Sequence, residues 1–511
     1  MKKLIRNIMF LLAAPTLMLT SCHESFDELN TDPTHMSEAN AGSFLRPIMY
    51  GMSTYNWNRY DSWTFELMQI CVSTSSTSGI GWYNATDASG DGTWTNYYYY
   101  LTNAKAMYKY GEQAEDNNYM AVSLTLQGWM FELLTDAFGD IPFEDACKGE
   151  EGVYQPRFDK QQDVYANIID MLDEANRLYD TSKGLQFNSQ GDMLYCTSDE
   201  DTEGIMLWKK FANSLRMRAL LRVIDVPGLD AAAKLKEMVD NPAEYPVFES
   251  NEESAMVSVS GVAPEEAPLA RPSDFTSYRV LSEFFINTLK NWNDPRLPIF
   301  ARTATNNGIE GYYGMQSGYQ VLPSITASYP NTDNLAVAPM ELQLMTYPEI
   351  LFIKAELAQR GVINADAKSL YEQAVTAAIE QWGATVPAGY FDNPLTAYDG
   401  TLQRIMEQKF YALFFCDYQQ WFEHNRTGYP EIPVGPGVDS TKKMLTRFKY
   451  PSILQRTNKA NLMKQEYIDP EVAVSPQEAF YADKESLPLR QTEGRICSEF
   501  RKNRWAATTF I

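Results

Sequence analysis

Histidine is scarce: the 511 residues hold three. Two of them, His23 and His35, fall near the start, so only His424 serves the body of the chain. That is poor material for a Ser-His-Asp triad or a histidine-rich metal centre. Cysteine is scarce as well. Besides Cys22 there are Cys71, Cys147, Cys196, Cys416 and Cys497. The number is odd and no CxxC spacing occurs, which argues against a disulfide framework and against a zinc site. GxSxG, HExxH and P-loop patterns are missing. After the N-terminal leader no apolar run approaches the ~18 residues of a membrane-spanning helix. Positive charge is also short. The 43 Lys and Arg residues face 66 Asp and Glu, a net charge of -23, and a leader carrying Lys2, Lys3 and Arg6 makes the remainder more acidic still. Such a surface repels phosphate backbones, which argues against nucleic acid as a partner. Polyanionic substrates are disfavoured in the same way.

What is present begins with an export signal. A basic head, MKKLIRN, precedes an apolar stretch from Ile8 to Leu19 that is too short to span a bilayer, which takes ~20 residues. The ending Leu19-Thr20-Ser21-Cys22 resembles the lipobox of bacterial lipoproteins. In that case residues 1–21 are a signal peptide and Cys22 is lipidated: its thiol takes a diacylglycerol and its new amine a third acyl chain. Each buried methylene contributes ~0.8 kcal/mol, so several chains hold a domain on a membrane. The competing reading is an ordinary secreted protein in which Cys22 is incidental. Residues 22–40 read as lipidated cysteine and polar tether, and Glu24, Asp27 and Glu28 resemble the export tags of surface lipoproteins in the Bacteroidetes.

Residues 41–511 read as a single, mainly α domain. Thr346 to Gly383 is the clearest helix pair, about 38 residues, close to a tetratricopeptide unit of ~34. Thr346 and Glu349 have capping-box spacing, and Asn364 is placed to cap the second helix. That helix carries Leu370, Tyr371, Ala374, Val375, Ala378 and Ile379 on one face. The same reasoning pairs Tyr97 to Ala114 with Tyr119 to Phe138, and Gln161 to Tyr179 with Ile205 to Val223. A further amphipathic helix, Leu402 to Phe415, runs on toward Trp421. Three long loops interrupt this frame: Cys71 to Trp94, Glu249 to Ser277, and Thr303 to Met340. Compact domains rarely carry loops of that length without a use for them.

Aromatics make up 13% of the chain, with 31 tyrosines and 10 tryptophans. A sugar ring presents a flat C–H face and a rim of hydroxyls, so a glycan site wants exposed aromatic planes beside Asn, Asp, Gln or Arg. The first long loop supplies Trp82, Tyr83 and Trp94 beside Asn84. The third supplies Tyr312, Tyr313 and Tyr319. The alternative for both sets is that the rings cap the hydrophobic end of the helix layer. Tyr97 to Tyr100 reads as a helix start with one face buried, and is not assigned to ligand. Asp136, Asp140 and Glu144 read as helix-ending and loop-ordering acids. Asn213, Arg216, Arg218, Glu423, His424 and Arg426 read as buried structural contacts. No residue is assigned to catalysis or to a metal, and no cofactor is implied. Whether a structural calcium ion is held by the many oxygens stays open.

Several segments together resemble the SusD/RagB family of Bacteroidetes outer-membrane lipoproteins. They are LNTDPTH in the tether, LTDAFGDIPFEDA (Leu134 to Ala146), WKKFANSLRMRALLRV (Trp208 to Val223), NDPRLPIF (Asn293 to Phe300), YPEILFIKAELAQRG (Tyr347 to Gly361), IMEQKFYALFFCDYQQWFEHNRTGYPEIP (Ile405 to Pro433) and RFKYPSILQRTNKAN (Arg447 to Asn461). They follow the family's order over roughly residues 22 to 461, and residues 462–511 are an atypical tail. The resemblance implies tetratricopeptide-like helical repeats forming a right-handed superhelical scaffold, plus an irregular loop-rich part that carries the ligand site. It implies a cell-surface, non-enzymatic receptor, lipid-anchored in the outer membrane. Such a receptor captures oligosaccharides and delivers them to a SusC-like TonB-dependent transporter. Three alternatives remain: a RagB-like receptor for peptides, a lipid-anchored glycoside hydrolase, and a helical-repeat assembly protein without a small ligand.

Overall fold

The computed structural model describes residues 40–187 and 191–465. Cys22, the leader, most of the tether, the tail after Gln465 and Cys497 lie outside the described residues.

Eleven longer helices order the described chain. They are α1 (Gly42–Arg59), α2 (Asp91–Gln113), α3 (Asn117–Phe138), α4 (Gln161–Leu178), α5 (Thr202–Arg222), α6 (Ala231–Asp240), α7 (Glu283–Trp292), α8 (Tyr347–Gln359), α9 (Ala367–Glu380), α10 (Leu402–Ala412) and α11 (Gln419–Thr427). Neighbours in sequence pack as pairs: α2 on α3, α4 on α5, α8 on α9 and α10 on α11, with α3 against α4 and α8 against α5 joining the pairs. The fold is mainly α and tetratricopeptide-like, and the predicted pairs coincide with the observed ones. Strands are few and short. Cys71–Ser73 (β1), Ala255–Val259 (β2), Arg279–Leu281 (β3), Ala304–Asn306 (β4), Ile309–Gly311 (β5) and Met340–Met345 (β6) form three antiparallel ladders, β1 with β3, β2 with β6 and β4 with β5.

The periodicity explains the pairs. In α2 the buried side chains Tyr97, Leu101, Ala104 and Met107 recur at three- and four-residue steps, one stripe of the helix. Helix α3 is buried on nearly every side because it lies between α2 and α4. The carboxylate of Asp116 caps it, accepting from the backbone N–H of Asn118 (3.0 Å) and Tyr119 (3.1 Å).

Two predicted caps are corrected. Thr346 makes no capping hydrogen bond at the start of α8. Glu349 is fully buried and accepts from Arg218 instead, through Nε (2.8 Å) and Nη2 (2.6 Å). Helix α9 is capped by Asp366, which accepts from the N–H of Lys368 (3.1 Å), and not by Asn364.

A buried polar spine runs through the helix layer. Helix α5 carries Asn213, Arg216, Arg218 and Arg222. Asn213 donates to Asn176 of α4 (2.8 Å), Arg216 pairs with Asp173 of α4 (2.7 Å), and Arg218 holds Glu349 of α8. Arg222 reaches Asp136 of α3 (3.1 Å) and Glu423 of α11 (2.7 Å). Glu423 also accepts from Lys409 (2.9 Å), and Arg426 clamps Glu356 with two bonds of 2.7 Å. The structural reading of these motif residues therefore holds, with one amendment. Asp136 belongs to this spine, whereas Asp140 does order a loop, accepting from the N–H of Gln161 (2.9 Å). Burial pushes the Glu132 carboxyl up to about 8 and the Asp417 carboxyl up to about 6, against the pull of nearby Arg218.

Candidate functional site

The aromatic residues of the first long loop do not face solvent. Trp82 is 2% exposed, Tyr83 is buried, and Trp94 is 8% exposed. Trp82 stands edge-on to Tyr319 (centroids 4.9 Å apart) and its indole N–H donates to the Tyr319 carbonyl (3.0 Å). The Tyr319 hydroxyl donates to the carbonyls of Ser73 (2.9 Å) and Ser76 (3.0 Å). The two loops proposed from sequence are therefore brought together, but by a shared small core of Val72, Trp82, Val280, Met315, Tyr319 and Ala327. Trp94 packs among Phe138, Phe158 and Tyr450 at the end of α3. The expectation that these rings are outward platforms is corrected: each has apolar surface within reach, and burial wins. Asn84 is half-buried beside them. Tyr312 and Tyr313 are half-buried next to α7. Lys290 donates to the Tyr312 carbonyl (3.1 Å), and its ammonium lies 5.7 Å from the Tyr313 ring centre. They do not join the Trp82 loop.

Solvent-reachable aromatic surface beside amides occurs instead on α1 and α2. Burial of Tyr97 turns Tyr99 outward, where it is 62% exposed, while Tyr100, three residues on from Tyr97, is half-buried against α1. Tyr99 and Tyr100 stand at 81° with centroids 5.0 Å apart. The Tyr100 ring crosses α1 at Gly51, where a Cβ would come within 1.9 Å of its hydroxyl. A side chain at position 51 would evict the ring. Tyr50 follows on α1, its hydroxyl donating to the Glu266 carbonyl (2.9 Å). That bond holds one end of the 260–278 loop against α1. The other end is held where Arg279 clamps Asp61 (2.6 and 2.9 Å) and donates to the Asp274 carbonyl (2.9 Å). Burial raises the Asp61 pKa despite that arginine. The loop ends on Tyr278, 73% exposed. Asn58 of α1 is exposed, and Asn96 and Asn103 of α2 are half-buried at helical spacing from Tyr99. The Asn96 amide donates to the Gly92 carbonyl (2.8 Å), leaving its oxygen, while Asn58 and Asn103 make no side-chain hydrogen bond among the described residues. Phenol faces and amides share one surface, and that arrangement binds a polyhydroxylated ring by stacking and hydrogen bonding together. The tyrosine run was dismissed in sequence because one ring of it is core. The signal that could have rescued it is the register: Tyr99, Asn96 and Asn103 share the face opposite Tyr97 and Leu101.

Among the described residues, no three His, Cys, Asp or Glu side chains come together as metal ligands would. Cys71, Cys147, Cys196 and Cys416 form no disulfide among the described residues. No described helix is long and apolar enough to cross a membrane.

Comparison with known proteins gives a consistent picture. Residues 33–451 match the SusD-like family model, described as starch-binding and associating with the outer membrane. A search of curated proteins finds no significant match. Among solved structures, a chitin-binding protein superposes with a TM-score of 0.70 at 24% identity, covering 83% of this chain and 95% of that one. A SusD homologue from Bacteroides fragilis NCTC 9343 gives 0.70 at 22% identity, covering 86% and 98%. Another from Bacteroides thetaiotaomicron VPI-5482 gives 0.67 at 22% identity, covering 84% and 94%.

Proposed function

The chain belongs to the SusD-like family, starch-binding and associating with the outer membrane, and on that premise we propose that it is a surface nutrient-binding lipoprotein that captures oligosaccharides. It passes them uncut to a SusC-like TonB-dependent transporter. The observation that carries the reading is the strip of Tyr50, Tyr99 and Tyr100 beside Asn58, Asn96 and Asn103, bordered by Tyr278. Phenol rings cover the C–H faces of successive sugars, and the amides donate to and accept from their hydroxyls. An open strip suits a chain of sugars better than a single small molecule.

Binding without cleavage is supported by where the acids lie. Glycoside hydrolysis takes two carboxyl groups ~5–10 Å apart flanking the bond to be cut. The carboxyls pushed furthest toward neutrality, Glu132 and Asp417, are buried in the helix layer with Arg218 nearby. Near the strip, Asp61 is clamped by Arg279 and Glu265 pairs with Arg46, which leaves Glu266, beside Tyr50, as a single carboxylate and not a pair. Attachment to the outer membrane runs through acyl chains on Cys22. Cys22→Ala should release the protein from the membrane fraction or block its maturation, and unchanged membrane retention and processing would refute the anchor.

The test of function titrates the mature chain, without its anchor, against oligosaccharides and peptides, and analyses each mixture for new products. Saturable binding to a glycan class without turnover is expected. Saturable peptide binding would replace the cargo, and turnover would overturn the non-enzymatic reading.

A further inference from the structure

A second concave site is built on α7, from residues that take no part in the tyrosine strip. Glu283, Asn287 and Asn291 recur every four residues, so their side chains form one row along the helix. Facing them are Gln316 and Ser317 on one loop and Pro433 to Gly435 on another, enclosing about 290 Å³. The walls are held closely. At Gly314 a Cβ would lie 2.3 Å from the Glu283 Cα, and at Gly435 one would lie 2.0 Å from the Ser317 carbonyl oxygen. Only glycine permits these approaches. At the base the Gln69 amide donates to the Pro433 carbonyl, and the Ser282 hydroxyl donates to the Gln69 carbonyl.

The polar groups of this cleft lack partners. The side chains of Glu283, Asn287, Asn291 and Gln316 make no hydrogen bond or ion pair among the described residues. Ser317 is 5% exposed and its hydroxyl is enclosed beside Gly81, where a Cβ would lie 3.2 Å from it, so this residue forms wall and not a polar contact of the cleft. Phe284 and the exposed Val434 add apolar surface to the same cleft. The lining holds one carboxylate and no cationic side chain, which disfavours anions. One carboxylate is also too few for a calcium ion, which takes 6–8 oxygens with several charged ones among them. The group that fits is neutral, rich in hydroxyls and partly apolar.

We propose that the α7 cleft is a second ligand site that takes one neutral pyranose ring. The amides of Asn287, Asn291 and Gln316 each donate and accept, and Glu283 accepts from a hydroxyl. The ring's C–H side lies toward Phe284 and Val434. The volume sits at the small end of ligand pockets, which suits one ring and not a chain. The site stands independently of the tyrosine strip, and the test separates the two.

The experiment measures binding of D-glucose, D-galactose, D-mannose and N-acetyl-D-glucosamine to the mature chain by saturation-transfer NMR and calorimetry, with trialanine as the peptide probe. One sugar should saturate. Asn287→Ala with Asn291→Ala should weaken it at least about tenfold, as loss of two or more hydrogen bonds does. Both positions are solvent-facing, and unchanged melting confirms the fold. Gln316→Ala, on the opposite wall, should weaken the same sugar, whereas Tyr99→Ala should leave it unchanged. Failure of every sugar to saturate, indifference to the Asn287 and Asn291 changes, or filling by trialanine overturns the proposal.

Discussion

Glu349 and Glu283 are both glutamates in the first turn of a helix, yet they lead opposite lives. Glu349 of α8 is buried and gripped by Arg218 through two hydrogen bonds. Glu283 of α7 is exposed and unpaired among the described residues. The contrast extends to the regions around them. In the helix layer, Asn213 bonds Asn176, Arg218 bonds Glu349, Arg222 bonds Glu423 and Arg426 bonds Glu356, which ties four helices together. Around α1, α2 and α7, tyrosines, asparagines and a glutamate face solvent with polar capacity left over. A buried charge must find its partner inside the chain or destabilise it. An exposed amide bears no such cost and can wait for a ligand. The helix layer is thus read as scaffold and the exposed faces as recognition surface, and each variant below tests one side of that division.

The largest effect should come from breaking a buried pair. Glu349→Ala strips Arg218 of its bidentate partner, leaving the Glu132 carboxyl 4.0 Å away, and should lower stability by about 3 kcal/mol, read as a loss in urea midpoint. Glycan affinity of the protein that remains folded should not change.

Asp417→Asn should have the next largest effect, and its sign depends on pH. Burial raises the folded-state pKa of Asp417 to about 6, above the ordinary aspartate value near 4. The folded state therefore keeps a proton that the unfolded chain releases, and this group's contribution falls as pH rises from about 4 to 6. The neutral amide removes that loss. Stability of Asp417→Asn relative to the parent should climb by on the order of 2 kcal/mol across the window. A flat difference between pH 4 and 6 would show that Asp417 titrates normally.

On the recognition side the sizes invert. Tyr99→Ala removes an exposed ring and should leave stability within about 0.5 kcal/mol. It should weaken oligosaccharide binding about tenfold, near 1.4 kcal/mol. A variant that melted early without losing affinity would move Tyr99 to the scaffold side. Trp82→Ala supplies the crossed control. Its indole is core, so about 3–5 kcal/mol of stability should be lost, and any change in binding should follow the loosened loops.

How far this was legible in the sequence also divides along the same line. The helix pairs could be read because stripes such as Tyr371, Ala374, Val375 and Ala378 state which face is dry. The spine residues could be suspected because Asn213, Arg216 and Arg218 stand among Phe211, Leu215, Met217 and Leu220 in one helix. Their partners could not be named. Glu349 has the spacing of a capping box, and only the approach of α5 assigns it to Arg218. The loop rings were misjudged for a physical reason. Trp82 and Trp94 carry large apolar surface, and neither local sequence nor flanking glycines reveal that Tyr319 and Phe158 come from elsewhere to cover them. Tyr99 was hidden by its neighbour Tyr97, since a run of four tyrosines spreads over both faces of a helix. The α7 row, Glu283, Asn287 and Asn291, could be read as spacing, but its opposing wall comes from loops near 316 and 434.

The most direct test is a titration of the mature chain with a starch-derived oligosaccharide such as maltohexaose and with a chitin oligosaccharide, with product analysis of each mixture. It is repeated for Tyr99→Ala and for Tyr50→Ala. The account predicts saturable binding to one of them, intact sugar recovered at the end, and marked loss of affinity in both variants, with the melting temperature of Tyr99→Ala unchanged. Binding that survives both substitutions, or sugar returned as shorter products, would contradict it.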